Sequence, residues 1–331
     1  MAVIASDVLA NGLRTEFADT YAGVKNRVAD SRLAMVMDLS MTATNAKHEF
    51  AYFNAAPHMA HWPRGTTIAQ KDFDSVQFST PVFDWGRRIG WHKNDRKDDQ
   101  TQSLMDVARM AGESAALTPL RMFFDLLQNG TTLMPAVPNA PDGAAFFADS
   151  RFGTSEGNLI TGGGVATTAA IQGDYYTAIE TFKSFQDGQA QPLLSDDAID
   201  SGVVIIHPAA ATEAFEQAFI QQRQGVLGPD NTTDAVTSVQ VSNVVQDASR
   251  NVTLWGSNRL TDANDWYIFL KGAPKLPTFL LTREGITEYQ CLDTDNNSDR
   301  VRDRGEEYVQ FEERSGAGIA LPFGAIKLSN A

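Results

Sequence analysis

The sequence predicts an α+β fold, and three features carry that prediction. A run from Glu306 to Lys327 begins as an alternating strand, crosses Ser315, Gly316, Ala317 and Gly318, and ends on an apolar segment. Upstream, a helical pattern from Asp98 to Gln128 encloses a single proline, Pro119. Between the two lies the apolar run Val203-Val204-Ile205-Ile206, closed by His207-Pro208, which reads as a buried strand. The C-terminal run reads as a sheet element that closes a domain, and nothing in it suits a catalyst. At 331 residues the chain suits one large domain or two intimate ones.

Leu9, Leu13, Phe17, Tyr21, Val24 and Val28 recur at helical spacing and predict a helix over 6–29. Ser6 or Asp7 can cap its first N–H groups. One helix at a terminus has little core of its own, so it must lie on another element or another chain. Residues 33–53 read as irregular and Met-rich. From Phe50 to His92 aromatic residues alternate with polar ones, and Pro57, Pro63 and Gly65 break the pattern early. Val76, Phe78, Thr80 and Val82 share one strand parity. The expectation is a two-stranded hairpin over 66–92 that projects from the body. A ribbon this rich in Trp and Arg is poorly stable alone, and its composition suits an interface.

Asp98-Asp99 opens the long helix at the end its dipole favours. Leu104, Ala108, Ala111, Ala115, Leu120, Phe123 or Phe124, and Leu127 supply its apolar stripe, and Asn129-Gly130 ends it. Such a helix is about 45 Å long, bent at Pro119, and serves as a spine. Residues 130–170 read as loop, with Gly162-Gly163-Gly164 as a flexible linker. Helices are predicted at 173–185 and 209–222. Strands are predicted at 236–245, 252–256, 266–270, 278–281 and 287–291.

The search for chemistry yields little. A formal charge of −14 opposes a dedicated DNA-binding module, though not a container whose wall must release the polymer. The single cysteine, Cys291, excludes an internal disulfide and a Cys-based zinc site. The histidines His48, His58, His61, His92 and His207 form no metal-ligand pattern, and His207 reads as structural. No nucleophile elbow or phosphate loop is present. The acidic string Asp293 to Asp299 places oxygens at alternate positions, yet Ser298 and Arg304 stand where a calcium loop needs glycine and glutamate. It reads as a solvated turn. No stretch approaches a membrane span, and the N-terminus lacks a signal-peptide pattern, so a soluble, cytoplasmically made protein is expected. No catalytic residue, metal or cofactor is assigned, and the chain is not expected to be an enzyme.

Several segments resemble the major head protein of Mu-type tailed phages. Tyr52-Phe53-Asn54-Ala55-Ala56-Pro57-His58-Met59-Ala60-His61-Trp62 stands where that family has an aromatic segment before a projecting hairpin. Asp98-Asp99 and Pro119 match its acidic pair and helix proline. Asp142-Gly143-Ala144-Ala145-Phe146-Phe147 matches its Asp-Gly-x-x-Phe-Phe motif, after which Arg151 replaces a family histidine. Asp187-Gly188 through Leu193, and Leu260-Thr261-Asp262 through Trp266-Tyr267, follow in the family's order.

The resemblance implies the Hong Kong 97-type capsid fold. Residues 1–49 would be an N-terminal arm and 50–95 an extended loop. Residues 96–195 would form a peripheral domain with the spine helix, 196–264 an axial domain, and 265–331 a return to the peripheral domain. It further implies self-assembly into pentamers and hexamers of an icosahedral head around double-stranded DNA, in the host cytoplasm, without sequence-specific DNA contact. A separate scaffold, a portal and decoration proteins would be partners. Contacts between copies are expected to use Phe17, Tyr21, Trp62, Arg64, Phe73, Phe78, Trp85, Arg87 and Arg88. Some relatives crosslink a loop lysine; Lys71 is the only candidate here and has no assignable partner. The rival readings are an encapsulin-like compartment and a metal-dependent hydrolase.

Overall fold

The computed structural model describes residues 6–29, 32–53, 75–92, 94, 103–132, 140–151, 156–186, 191–220, 223–227, 238–242, 251–283 and 304–330. Its helices are α1 (Ser6–Ala29), α2 (Ser103–Ala116), α3 (Thr118–Gln128), α4 (Thr168–Ser184), α5 (Asp196–Asp200) and α6 (Thr212–Phe219). The first strands are β1 (Met37–Ala43), β2 (Lys47–Phe53), β3 (Ser75–Pro81), β4 (Phe83–His92), β5 (Leu159–Thr161) and β6 (Val203–Pro208). Then come β7 (Arg223–Leu227), β8 (Ser238–Ser242), β9 (Val252–Ser257), β10 (Trp266–Leu270), β11 (Thr278–Arg283), β12 (Glu306–Ile319) and β13 (Ala325–Ser329). The chain forms two units.

The first unit is built on a four-stranded sheet of order β1-β11-β12-β4. β12 runs antiparallel to β4 from Glu306↔His92 to Ser315↔Phe83. Leu13 and Phe17 of α1 are buried with Ala108 of α2 and Trp91 of β4. The first helix therefore finds its partner within its own chain. The crossing is close because Gly112 has no side chain; a methyl there would come 2.8 Å from the Phe17 carbonyl oxygen. Glu16 accepts a 2.9 Å hydrogen bond from Arg109 across the same crossing. Farther along β12, a methyl at Gly318 would lie 2.2 Å from the ring of Phe279, which is almost fully buried. Gly318→Ala is expected to cost about 1–3 kcal/mol through this overpacking, read as a lower midpoint in urea unfolding of the subunit.

Two expectations for this region are corrected. Residues 33–53 are not irregular: β1 joins the sheet beside β11, and β2 pairs with β3. Among the described residues of 66–92 no hairpin forms either: β3 pairs with β2 while β4 pairs with β12. Long-range pairing decides these partners, and local alternation carries no record of it. The spine is two helices with a break at Leu117. Pro119 cannot donate to the Ala115 carbonyl, and its ring crowds that group, so the helix yields there. Asp98-Asp99 lies outside the described residues, as do Cys291, the strand expected at 287–291 and the string 293–299.

The second unit centres on a five-stranded sheet of order β5-β13-β10-β6-β9. β10 is antiparallel to both β13 and β6, whereas β13 is parallel to β5 and β6 to β9. One face carries Val203, Ile205, Trp266, Ile268, Leu270, Ile326 and Leu328 against Tyr175, Phe182 and Phe215 of the helices. On the other face the ring of Phe147 lies 5.5 Å from Tyr267, and Phe124 lies 5.4 Å from Trp255. Burial of both faces explains why β6 and β10 are apolar without alternation. His207 is buried and stacked on Phe215 at 4.4 Å, the structural role its position suggested.

Elements shift at their ends for local reasons. α4 starts earlier than expected because the Thr167 hydroxyl caps it, accepting from the Ala170 N–H. The helix expected over 209–222 is a 3-10 turn followed by α6, and the short strands β5 and β7 and the short helix α5, capped by Ser195, were not foreseen. Gly162-Gly163-Gly164 is no linker. The Gly163 N–H donates to both carboxylate oxygens of Asp174 at 2.8 and 2.9 Å, and the Gly164 N–H donates to Asn330 Oδ1 at 2.9 Å. The three glycines wrap these oxygens so closely that a methyl at Gly162 would sit 2.3 Å from Asn330 Oδ1. At Gly162 glycine is needed for approach, whereas Gly164 has open space around it and a φ of +101° that favours glycine.

Candidate interaction surface

β4 brings three of the expected contact residues, Trp85, Arg87 and Arg88, onto one strand. The first two share a strand parity with buried Trp91, whereas Arg88 has the opposite one. The Trp85 ring is 42% exposed, and its Nε1 donates to the Ser315 carbonyl at 3.0 Å. That bond fixes a large apolar surface in place. On the other parity Asp84 is paired with Arg314, which holds the Asp84 carboxyl below the usual range.

A cleft of about 240 Å³ opens beside Trp85. Gly86, Arg87 and Glu313 line it from the sheet, and Ala111, Ala115 and Arg121 from the helices near their break. Arg121 donates to the Ser114 hydroxyl at 3.1 Å. One turn earlier on α2, Met110 is 67% exposed and Val107 is also exposed. The result is an apolar strip on the helix that leads into a cleft edged by charge. Glu313 is half-buried, and burial raises its carboxyl above the ordinary glutamate value of 4.5, with Lys25 opposing. The folded state thus favours the protonated acid. This contribution is present below 4.5 and is lost as pH rises through the raised folded value. Glu313→Gln should therefore melt above the wild type at neutral pH, with the gap closing as the medium is acidified; a gap independent of pH would contradict the assignment.

The remaining expected residues scatter. Phe17 is 1% exposed, in the α1–α2 core, with Tyr21 stacked on it at 6.2 Å and Lys25 over the Tyr21 ring at 5.4 Å. Phe78 is half-buried on the β2–β3 ribbon, stacked on Phe50 at 5.1 Å. Trp62, Arg64 and Phe73 lie outside the described residues, as do Lys71, His58 and His61. Sequence reasoning missed the cleft and the outward Met110. A signal existed: Val107, Met110 and Ser114 share one helical stripe beside the apolar one. Among the described residues, no three His, Cys, Asp or Glu side chains gather as a metal site requires, and no helix is long and apolar enough to cross a membrane.

What this face offers is a strand at the end of its sheet beside a cleft. The two units carry the Hong Kong 97-type fold of phage capsid proteins, structural subunits of a virion shell. The phage capsid protein family matches residues 75–319, and the chain belongs to that family. Among solved structures, one from Mycobacterium phage Patience is similar with a TM-score of 0.57 at 11% identity, covering 100% of this chain and 91% of that one. The capsid of Myoviridae phage XM1 has a TM-score of 0.53 at 11% identity, covering 90% of each chain. A virus-like particle from Pyrococcus furiosus has a TM-score of 0.50 at 10% identity, covering 96% and 97%. At such identities the likeness is one of fold. No curated protein matches the sequence significantly.

Proposed function

We propose that this major capsid protein assembles into pentamers and hexamers of an icosahedral head that encloses double-stranded DNA. The family match over residues 75–319 is the observation that carries the reading. Rings close by head-to-tail contacts, so each subunit must present complementary surfaces to its neighbours. Individual contacts can be weak because each subunit makes many at once. A net charge of −14 keeps packaged DNA from adhering to the wall. The chain acts without catalysis, metal or cofactor.

In this reading residues 1–49 form the arm, 96–195 with 265–331 the peripheral domain, and 196–264 the axial domain. The expected loop over 50–95 narrows to the β2–β3 ribbon and the segment between those strands, since β4 belongs to a sheet. Trp62, Arg64, Phe73 and Phe78 would meet a neighbour from that loop. The six ordered motifs favour the Mu type. Assembly in the host cytoplasm with a separate scaffold and a portal completes the proposal. Particles purified from infected cells test it: they should hold nuclease-protected double-stranded DNA. Empty particles loaded with an enzyme would instead favour a compartment of the encapsulin kind.

A further inference from the structure

We propose that the buried pair Lys327–Asp265 fixes the register of β13 in the five-stranded sheet, selecting one arrangement of that strand rather than adding stability to it. The inference concerns the fold of one unit and does not depend on the shell reading. β13 lies between β5 and β10, and its partners on β10 are Trp266↔Leu328, Tyr267↔Lys327, Ile268↔Ile326 and Phe269↔Ala325. Ile326 and Leu328 belong to the core on the helix side. Lys327 takes the other face, with its ammonium 5.7 Å from the centre of the Tyr267 ring. Lys327 Nζ donates to Asp265 Oδ2 at 2.6 Å, and the two side chains are only 7% and 9% exposed. The second carboxylate oxygen, Oδ1, accepts from the Asn330 N–H at 3.0 Å.

Two core residues on a five-residue strand define a register poorly. A slide by one residue would turn Ile326 and Leu328 to the wrong face, so burial forbids it. A slide by two keeps every side chain on its own face. In one direction it sets Ile326 opposite Leu270 and Leu328 opposite Ile268, and all four are core residues. Apolar burial therefore weighs little against that slide. Charge weighs heavily: Lys327 would stand opposite Phe269, away from Asp265, and a buried ammonium and a buried carboxylate would each lose its partner. Asn330 would move opposite Trp266, and a neutral amide costs less to misplace than two separated charges. In the opposite direction Gly324 would replace Ile326 opposite Ile268, and the lost packing excludes it. Buried ion pairs seldom add net stability, because desolvation offsets their attraction, whereas parting them is costly. Such a pair acts on the choice between arrangements.

Methyl-detected NMR of the full chain, as dissociated subunits, tests this with the double variant K327M/D265N. Methionine keeps the reach of the lysine stem, and asparagine keeps an oxygen for the Asn330 N–H. The wild type should give one set of Ile326 signals, in contact with Ile268. The variant should keep its urea midpoint and show a second Ile326 set, populated at roughly 10% or more, in contact with the Leu270 methyls. A single set touching Ile268 would show that packing and Asn330 suffice, and overturns the inference. A second set without the Leu270 contact reports loosening rather than sliding, and overturns it too. A variant that does not fold, or whose midpoint falls sharply, makes the pair a stabilising contact and likewise overturns it.

Discussion

Replacing Arg151 with leucine is expected to lower the stability of the unassembled subunit by about 3–5 kcal/mol, the usual cost of stranding one member of a buried pair. The Arg151 side chain is 0% exposed and that of Asp142 4%, with Nη1 donating to both carboxylate oxygens at 3.0 and 3.1 Å. Burial pushes the guanidinium pKa down, and Asp142 opposes that shift. The other nitrogens donate to the Ala145 and Phe146 carbonyls and to Asn158 Oδ1. Asn158, also fully buried, directs its amide at the carbonyls of Phe146, Pro322 and Ala325 and accepts from the Ala148 N–H. One arginine thus ties residues 142–158 to the segment leading into β13. Leucine strips the buried Asp142 carboxylate of its cation, although the Ala144 N–H still donates to it, and removes the Arg151 donor from the Ala145 carbonyl. Lysine cannot substitute, because it lacks the planar fork that serves these acceptors at once. Urea unfolding followed by tryptophan emission measures the loss. The double variant R151L/D142L should recover most of it; a single-variant cost below about 1 kcal/mol would show the network to be incidental.

Substituting both Arg87 and Arg88 with alanine is expected to reduce particle yield more than about tenfold while leaving the circular dichroism of the subunit unchanged. Both side chains are exposed and adjacent on β4, so they present charge to opposite sides of the strand. Exposed charges contribute little to folding. Under the proposed shell reading they would meet carboxylates of the next subunit, and each 1.4 kcal/mol lost is about tenfold in affinity. In a shell the same loss recurs at every copy, so a modest defect in each contact becomes a large defect in assembly. Sedimentation of the variant reads this directly. Normal shells would remove these arginines from the contact.

How much of this could be read from the residues varied with the range of the interaction responsible. β10 was legible to the residue, and β12 and β6 nearly so, because their apolar or alternating patterns answer to burial along a single strand. The break at Leu117 followed from the chemistry of Pro119. The partner of β4 was not legible: Arg88 meets Gln310 in the register, and nothing near residue 88 encodes a residue that far along the chain. The glycine triplet misled for a similar reason, since its meaning depends on Asp174 and on Asn330. Arg151 was noticed only as a departure from a family pattern, because burial of an arginine is set by partners that sequence spacing does not show. The aromatic and arginine composition of β4 was legible in the sequence, but the cleft beside it needed α2 to be placed against the sheet.

Electron microscopy of the protein expressed together with its neighbouring genes tests the central claim most directly. Closed shells of uniform size with icosahedral symmetry, built from this chain, are the predicted result. A protein that stays a monomer or a small closed oligomer under those conditions would contradict the account.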